Sequence, residues 1–312
     1  MTEIRFETWN LDDSSYIEKF KQFHNTIFPN TRASKEWLEW YANFGFLDHE
    51  IHTRAHVAIR ESDDQIVGTW CVEPKIFSTS EKNIKVGRCF SVGIHPELRR
   101  QNLFVRMSKY AIQTEKNIGQ YEHILGFPQE GRPVIDAHLK SGWKKLHLIT
   151  MLGAKPEITN SSLRESRQVL KDLSTSYEQL SVGKFVENDS YFTRRWSEHP
   201  ENNYIILSTK SSRIVLKHYS SIMHVLSMQG EETNVTFLLN AARTLAFRHK
   251  CEELNAWCAD GERYKKSLED ANFLPNVSKM SNIELMCVDL QEKTLEDSIK
   301  RCIFHQGIEE IY

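Results

Sequence analysis

Between Val86 and Trp143 the chain reads as a strand (VGRCFSVGIHP), a basic turn (ELRRQNLF), a helix, a second strand (HILGFP) and a closing segment, HLKSGW. No other stretch restricts the fold as much. The second strand has to lie beside the first, and the turn is delivered to the N-terminus of the helix between them. A helix start carries free amides and partial positive charge, so it favours an anion. Arg99 and Arg100 stand in that turn, and together these groups suit a pyrophosphate.

The flanking sequence supplies the rest of a mixed α/β domain. IRFETW (4–9) reads as a strand, and SYIEKFKQFHNTIF has apolar residues at helical spacing. SKEWLEWYANF (34–44) predicts a second helix with Ser34 as N-cap. HVAIRE, QIVGTWCVEPKIFS and NIKVGRCFSVGIH then form a three-strand antiparallel meander. LFVRMSKYAIQTEKNIG is a helix closed by Gly119, and LHLITMLG a last strand. Residues 154–185 are polar and read as a linker. The remainder repeats the plan: a hairpin in YIILSTKSSRIVLKHY, a strand in SIMHVLSM, a helix in TNVTFLLNAARTLAFRHK, and strands in ELNAWCA and SNIELMCVDL. The expected architecture is therefore α/β with two tandem domains, 1–153 and 186–312, each a mixed, mostly antiparallel sheet flanked by helices. Tyr191, Arg194, Arg195 and Trp196 either line a cleft between the domains or pack one helix face.

At 312 residues the chain is comfortable for two domains. With 40 Lys+Arg against 42 Asp+Glu the net charge is −2, without the basic excess that nucleic-acid binding favours. No apolar run approaches the roughly 18 residues that span a bilayer. The start, MTEIRFETWNLDD, has neither the apolar core nor the cleavage site of a signal peptide. Neither a nucleic-acid nor a membrane partner is expected, and a homo-oligomer stays open. The six cysteines show no CxxC spacing, and several lie in apolar strand patterns; reduced thiols in a cytoplasmic protein are expected.

The order from strand through basic turn to GFP and SGW resembles the acyl-CoA-binding core of the GNAT N-acetyltransferases. That family carries a loop of form (Gln/Arg)-x-x-Gly-x-(Gly/Ala) around the CoA pyrophosphate. Aligned on Pro96, Arg99 takes the first place, Asn102 the first Gly and Phe104 the Gly/Ala, with Arg100, Gln101 and Leu103 between. Only Arg99 meets the pattern; Asn102 keeps the turn because asparagine adopts the left-handed conformation most readily after glycine. The resemblance implies that the two strands splay and that pantetheine pairs with the first at Val92, Gly93 and Ile94. Gly93 inside a strand suggests a bulge or a close backbone approach.

The family also places a tyrosine four residues before a Gly-aromatic pair, to protonate the departing thiolate. Counting back from Gly142-Trp143 gives His138, whose imidazolium would do the same. Glu73 is the carboxylate nominated to take the amine proton, although a glutamate in that place is more often a strand-end surface residue. Gln129 and Glu130, after GFP, are nominated for substrate. No metal is implied. The implied activity is acetyl transfer from acetyl-CoA to a primary amine of a small molecule, an amino sugar or sugar nucleotide, by direct attack on the thioester. Two alternatives stay open: a catalytically degenerate GNAT-like CoA-binding or interaction module, and an aminoacyl or peptidyl transferase with paired GNAT-like domains. The second half lacks the arginine turn.

Overall fold

The computed structural model describes residues 3–11, 13–29, 33–42, 52–78, 83–159, 184–185, 196, 204–259 and 263–291. Most of the predicted linker, and Tyr191, Arg194 and Arg195, lie outside the described residues. Trp196 is described and buried against Val215 and Leu226.

Strand β1 (Ile4–Asn10) leads into α1 (Ser14–Ile27), whose N-cap Asp13 accepts the Ser15 amide, and α2 (Lys35–Ala42). The Ser34 hydroxyl accepts the Trp37 amide at 3.0 Å, so Ser34 caps α2 as its position predicts. The meander is β2 (Arg54–Arg60), β3 (Gln65–Ser78) and β4 (Asn83–Ile94). Next come α3 (Leu103–Ile118), β5 (His123–Gly126), α4 (Val134–Lys140) and β6 (Lys144–Ala154). A two-residue strand β7 (Lys184–Phe185) pairs with the end of β3. The second half comprises β8 (Ile205–Ser208), β9 (Arg213–Tyr219), β10 (Ile222–Gln229), α5 (Glu232–Arg248), β11 (Glu253–Cys258), α6 (Lys265–Asp270) and β12 (Ile283–Asp289).

The strands form one sheet in the order β1-β2-β3-β4-β5-β12-β6-β11-β10-β9-β8. The halves interleave at its centre. β12, last in sequence, lies antiparallel between β5 and β6, and β6 in turn pairs antiparallel with β11. Each half thus has a parallel pair, β4–β5 or β10–β11, followed by an antiparallel strand from the other half. The arrangement has approximate two-fold symmetry. Because β5 and β11 run in opposite directions, the two parallel pairs point to opposite ends of the sheet.

Strand alternation sends side chains to two faces. On one face α3 and α4 cover Val72, Trp70, Ile124 and Met286, and further along α5 and α6 cover Leu152, Leu254 and Ala256. On the other face α1 and α2 cover Cys71 and Phe90, beside a central cluster of Phe77, Val86, Leu125, Ile149, Trp257 and Leu285. Helix α3 is fixed by burying Leu103 and Met107; full burial of each contributes about 1.5–3 kcal/mol. A second anchor is polar. Arg54 on β2 donates to Glu115 on α3 from Nε (2.8 Å) and Nη2 (2.6 Å), and His56 Nε2 lies 2.9 Å from the same carboxylate. A carboxylate only accepts, so His56 carries its proton on Nε2, and Nδ1 accepts from the Thr8 hydroxyl at 2.9 Å. No helix among the described residues is long and apolar enough to cross a membrane. The five described cysteines are buried, and none forms a disulfide with another of them.

Candidate active site

β4 and β5 pair only at Val86–His123, Gly87–Ile124 and Arg88–Leu125. Above that rung β4 continues to Ile94, still paired with β3, while β5 ends at Gly126 and its chain turns toward β12. The strands therefore separate, leaving a notch bordered on one side by Val92, Gly93 and Ile94. In this stretch β4 holds one residue more than β3, the register slipping between Thr69 and Cys71. The left-handed residue of this bulge is Ser91 (φ 44°), not Gly93 as the sequence suggests, and the Ser91 carbonyl accepts from the Thr69 hydroxyl at 2.7 Å. Gly93 answers a different need: a Cβ there would lie 2.7 Å from Ile27 Cγ2 on α1. It is the close approach, and Ser91 is the bulge.

At the top of the notch the chain makes a short 3₁₀ turn, Pro96–Leu98, and enters α3 through Asn102. Asn102 is left-handed (φ 60°, ψ 12°), as its position in the turn predicts, and Arg100 is left-handed too (φ 64°). Asparagine adopts this conformation at little cost, whereas for Arg100 it is strain of the kind that gathers at binding loops, on the order of 1–2 kcal/mol. The Asn102 side chain makes no capping hydrogen bond, so the first amides of α3 remain directed outward. Arg99, Arg100, Gln101 and Asn102 are exposed. The Arg99 Nε donates to the Ile94 carbonyl at 3.1 Å, fixing that arginine to the end of β4, and Gln101 Nε2 donates to the Glu97 carbonyl. Leu103 is buried, and half-buried Phe104 turns inward, away from the amides.

Phe104 meets His138 edge-on, ring centroids 5.1 Å apart, and His138 packs on Trp143 at 4.5 Å. Trp143 in turn fills the space left by Gly126, where a Cβ would lie 3.0 Å from Cζ3. His138 is thus one ring away from the end of β5. It is 3% exposed, and its Nδ1 is buried with no partner among the described residues. Burial lowers its pKa to about 4, so the side chain is a neutral imidazole at pH 7. This corrects the sequence-based role: the resting group is not an imidazolium, and what it offers is a hydrogen bond from a neutral ring.

Glu73 faces the other side of the sheet. It lies across from Arg88 and pairs electrostatically with that guanidinium and with the Lys75 ammonium, whose Nζ is 3.1 Å from Oε1, with all three side chains buried. This cluster sits at the root of the notch, because Arg88 is on its last paired rung. A base must take up a proton, and protonating Glu73 would remove a negative charge that stands between two buried cations. Its structural work is charge balance, and the sheet separates it from His138. Gln129 and Glu130 come to the opposite wall, but with their side chains engaged. Gln129 Oε1 accepts from Arg132 Nε and Nη2 (2.9 and 2.8 Å), and Glu130 accepts from Asn282 Nδ2 at 3.0 Å. Glu130 fastens the loop after β5 to the residue before β12, and Gln129 braces the loop itself.

Sequence reading missed Ser91, the Trp143–Gly126 contact and the two cations, Arg88 and Lys75, that flank Glu73. Arg88 had a visible signal, as a charged residue at the centre of the apolar run VGRCF. The second half repeats the notch without the anion site. β10 and β11 pair up to Val225–Ala256, and β10 has its own register slip between Val225 and Ser227. α5, however, begins at Glu231 and Glu232, two carboxylates that repel phosphate. Gly230 is hemmed in by Ser211 and Ser212, and its carbonyl accepts from the Tyr264 hydroxyl.

No protein-family model matches the sequence, and no curated protein does. Solved structures do match in fold. A probable N-acyltransferase of unknown function from Enterococcus faecalis V583 superposes with a TM-score of 0.61 at 12% identity, over 93% of this chain and 73% of its own. Saccharomyces cerevisiae N-myristoyltransferase with bound myristoyl-CoA gives 0.61 at 9% identity, over 92% and 83%. A GCN5-related N-acetyltransferase from Kribbella flavida gives 0.59 at 10% identity, over 92% and 71%. At such identities the likeness speaks for architecture alone, and the architecture of this chain is the GNAT fold.

Proposed function

We propose that the protein is an acyl-CoA-dependent N-acyltransferase that moves an acetyl group from acetyl-CoA to a primary amine of a small molecule, an amino sugar or sugar nucleotide. The observation that carries this reading is the notch between β4 and β5, with the left-handed Asn102 turn and the uncapped N-terminus of α3 at its mouth. In this reading the amides that open α3 hold the pyrophosphate, helped by Arg99 and Arg100. The edge of β4 at Val92–Ile94 aligns pantetheine as an added strand would. The thioester then reaches the end of β5, where a neutral amine attacks the carbonyl directly. The nitrogen–acyl bond forms, the sulfur leaves with the bonding pair, and the amine proton passes to solvent. Positioning supplies most of the acceleration. His138, as a neutral N–H donor, steadies the departing sulfur. The protein would work in the cytoplasm, and the second half, lacking an anion site, would shape the acceptor side.

A longer acyl group is the second reading, favoured by the likeness to a transferase solved with myristoyl-CoA. Thiol release measured over a panel of amines, with acetyl-CoA and myristoyl-CoA as donors, tests both. The expected result is amine-dependent release. Arg99→Ala should raise KM for the donor about tenfold, about 1.4 kcal/mol, with kcat little changed, whereas His138→Phe should lower kcat. Release from neither donor with any amine would overturn the enzyme reading in favour of a degenerate CoA-binding module.

A further inference from the structure

We propose that His123, Cys287 and Asp289 form a binding site for one zinc-like divalent ion, at the end of the β5–β12 pair away from the notch. His123 opens β5, and Cys287 and Asp289 are alternate residues of β12, so all three side chains leave the same face of the sheet. Their ligand atoms all lie within 4.8 Å of one another. His123 Nδ1 is 2.9 Å from Asp289 Oδ1, and Cys287 Sγ is 3.6 Å from the same oxygen. A tetrahedral ion with the usual zinc bond lengths holds such donors about 3.3–3.6 Å apart, so the two separations from Asp289 change by about half an ångström or less, while His123 and Cys287, within 4.8 Å of each other, close by up to about an ångström.

The donor set also selects the ion. One imidazole, one thiolate and one carboxylate suit zinc and its spectroscopic stand-in cobalt, whereas magnesium and calcium require oxygen ligands. His123 and Cys287 are 2% and 1% exposed, while Asp289 is 21% exposed. The carboxylate side therefore gives entry and leaves the fourth position for water. Binding replaces the thiol proton of Cys287 by the metal–sulfur bond and releases that proton to solvent. Lys144, whose Nζ is 3.0 Å from the outer oxygen Oδ2 of Asp289, is the competing cation. Its side chain is 57% exposed, so water can hydrate the ammonium when the ion takes the carboxylate. The bound ion would staple β12, the strand that arrives from the far end of the chain, onto β5.

The test is titration of the full-length protein with Co²⁺ alone, followed by absorption. The expected result is one ion per chain and a thiolate-to-cobalt charge-transfer band in the near ultraviolet. The band should be lost in Cys287→Ala and bleached by Zn²⁺. Asp289→Asn, which keeps the thiol, should weaken binding about tenfold or more, so the question stays decidable if Cys287→Ala does not fold. The absence of a band in the wild type, its survival in Cys287→Ala, or unchanged affinity in Asp289→Asn would overturn the proposal.

Discussion

Replacing Glu115 by glutamine should destabilise the protein by about 3–5 kcal/mol, because it removes one partner of a buried ion pair. Glu115 is 0% exposed and holds the Arg54 side chain, 5% exposed, through two hydrogen bonds. Glutamine keeps the shape and one acceptor oxygen but not the charge, leaving the guanidinium buried without its counter-ion. Coulomb's law at about 4 Å and an effective dielectric of about 20 gives roughly 4 kcal/mol, in line with that range. Against a total of about 5–15 kcal/mol, such a loss is a large displacement of the unfolding curve. The double variant Arg54→Met with Glu115→Met removes both charges and fills the space with apolar atoms, so part of the stability should return, less about 1–3 kcal/mol for the His56 Nε2–H left without its acceptor. Urea unfolding at constant m-value reads both. A Glu115→Gln protein within about 1 kcal/mol of wild type, or a double variant no more stable than the single one, would refute the reasoning.

Acid should weaken the fold through its buried histidines. His138 and His224 have pKa values lowered to about 4, and their unfolded values lie near 6.5, so the unfolded chain takes up protons first as the pH falls. Their contribution is complete above pH 6.5 and declines from there to pH 4, by about 3 kcal/mol for each histidine. Unfolding midpoints across that range check this, and a flat profile would contradict it. Asn102→Gly should leave stability and donor binding close to wild type, whereas Asn102→Val, forced to a left-handed φ, should cost on the order of 1–2 kcal/mol and weaken binding; unfolding and calorimetry read the pair. Gly126→Val should push Trp143 against His138 and cost about 1–3 kcal/mol, with altered tryptophan fluorescence. Unchanged stability and emission would mean that Gly126 is not what seats the indole.

The local elements were legible because each carries its own period or punctuation. The helical spacing of SYIEKFKQFHNTIF, the Ser34 cap, Gly119 at the end of α3 and the left-handed Asn102 all stand where the residues predict. What the sequence did not disclose is pairing across long separations. SNIELMCVDL announces a strand, but nothing local says that it will lie between β5 and β6, more than a hundred residues back. The site shows the same division. The turn and the notch were readable, while the states of its side chains depended on tertiary neighbours. His138 is neutral because Phe104 and Trp143 surround it, and Glu73 is occupied because β4 sets Arg88 opposite. Gly93 signalled a close approach, and the residue that approaches it, Ile27, belongs to a helix far away in sequence.

The measurement closest to the central claim is calorimetric binding of acetyl-CoA and myristoyl-CoA to the wild type and to Arg99→Ala. At least one donor should bind the wild type, and the substitution should weaken that binding about tenfold or more, about 1.4 kcal/mol. Binding of neither donor to the wild type, or equal affinity in the variant, would contradict the placement of the cofactor pyrophosphate at the start of α3.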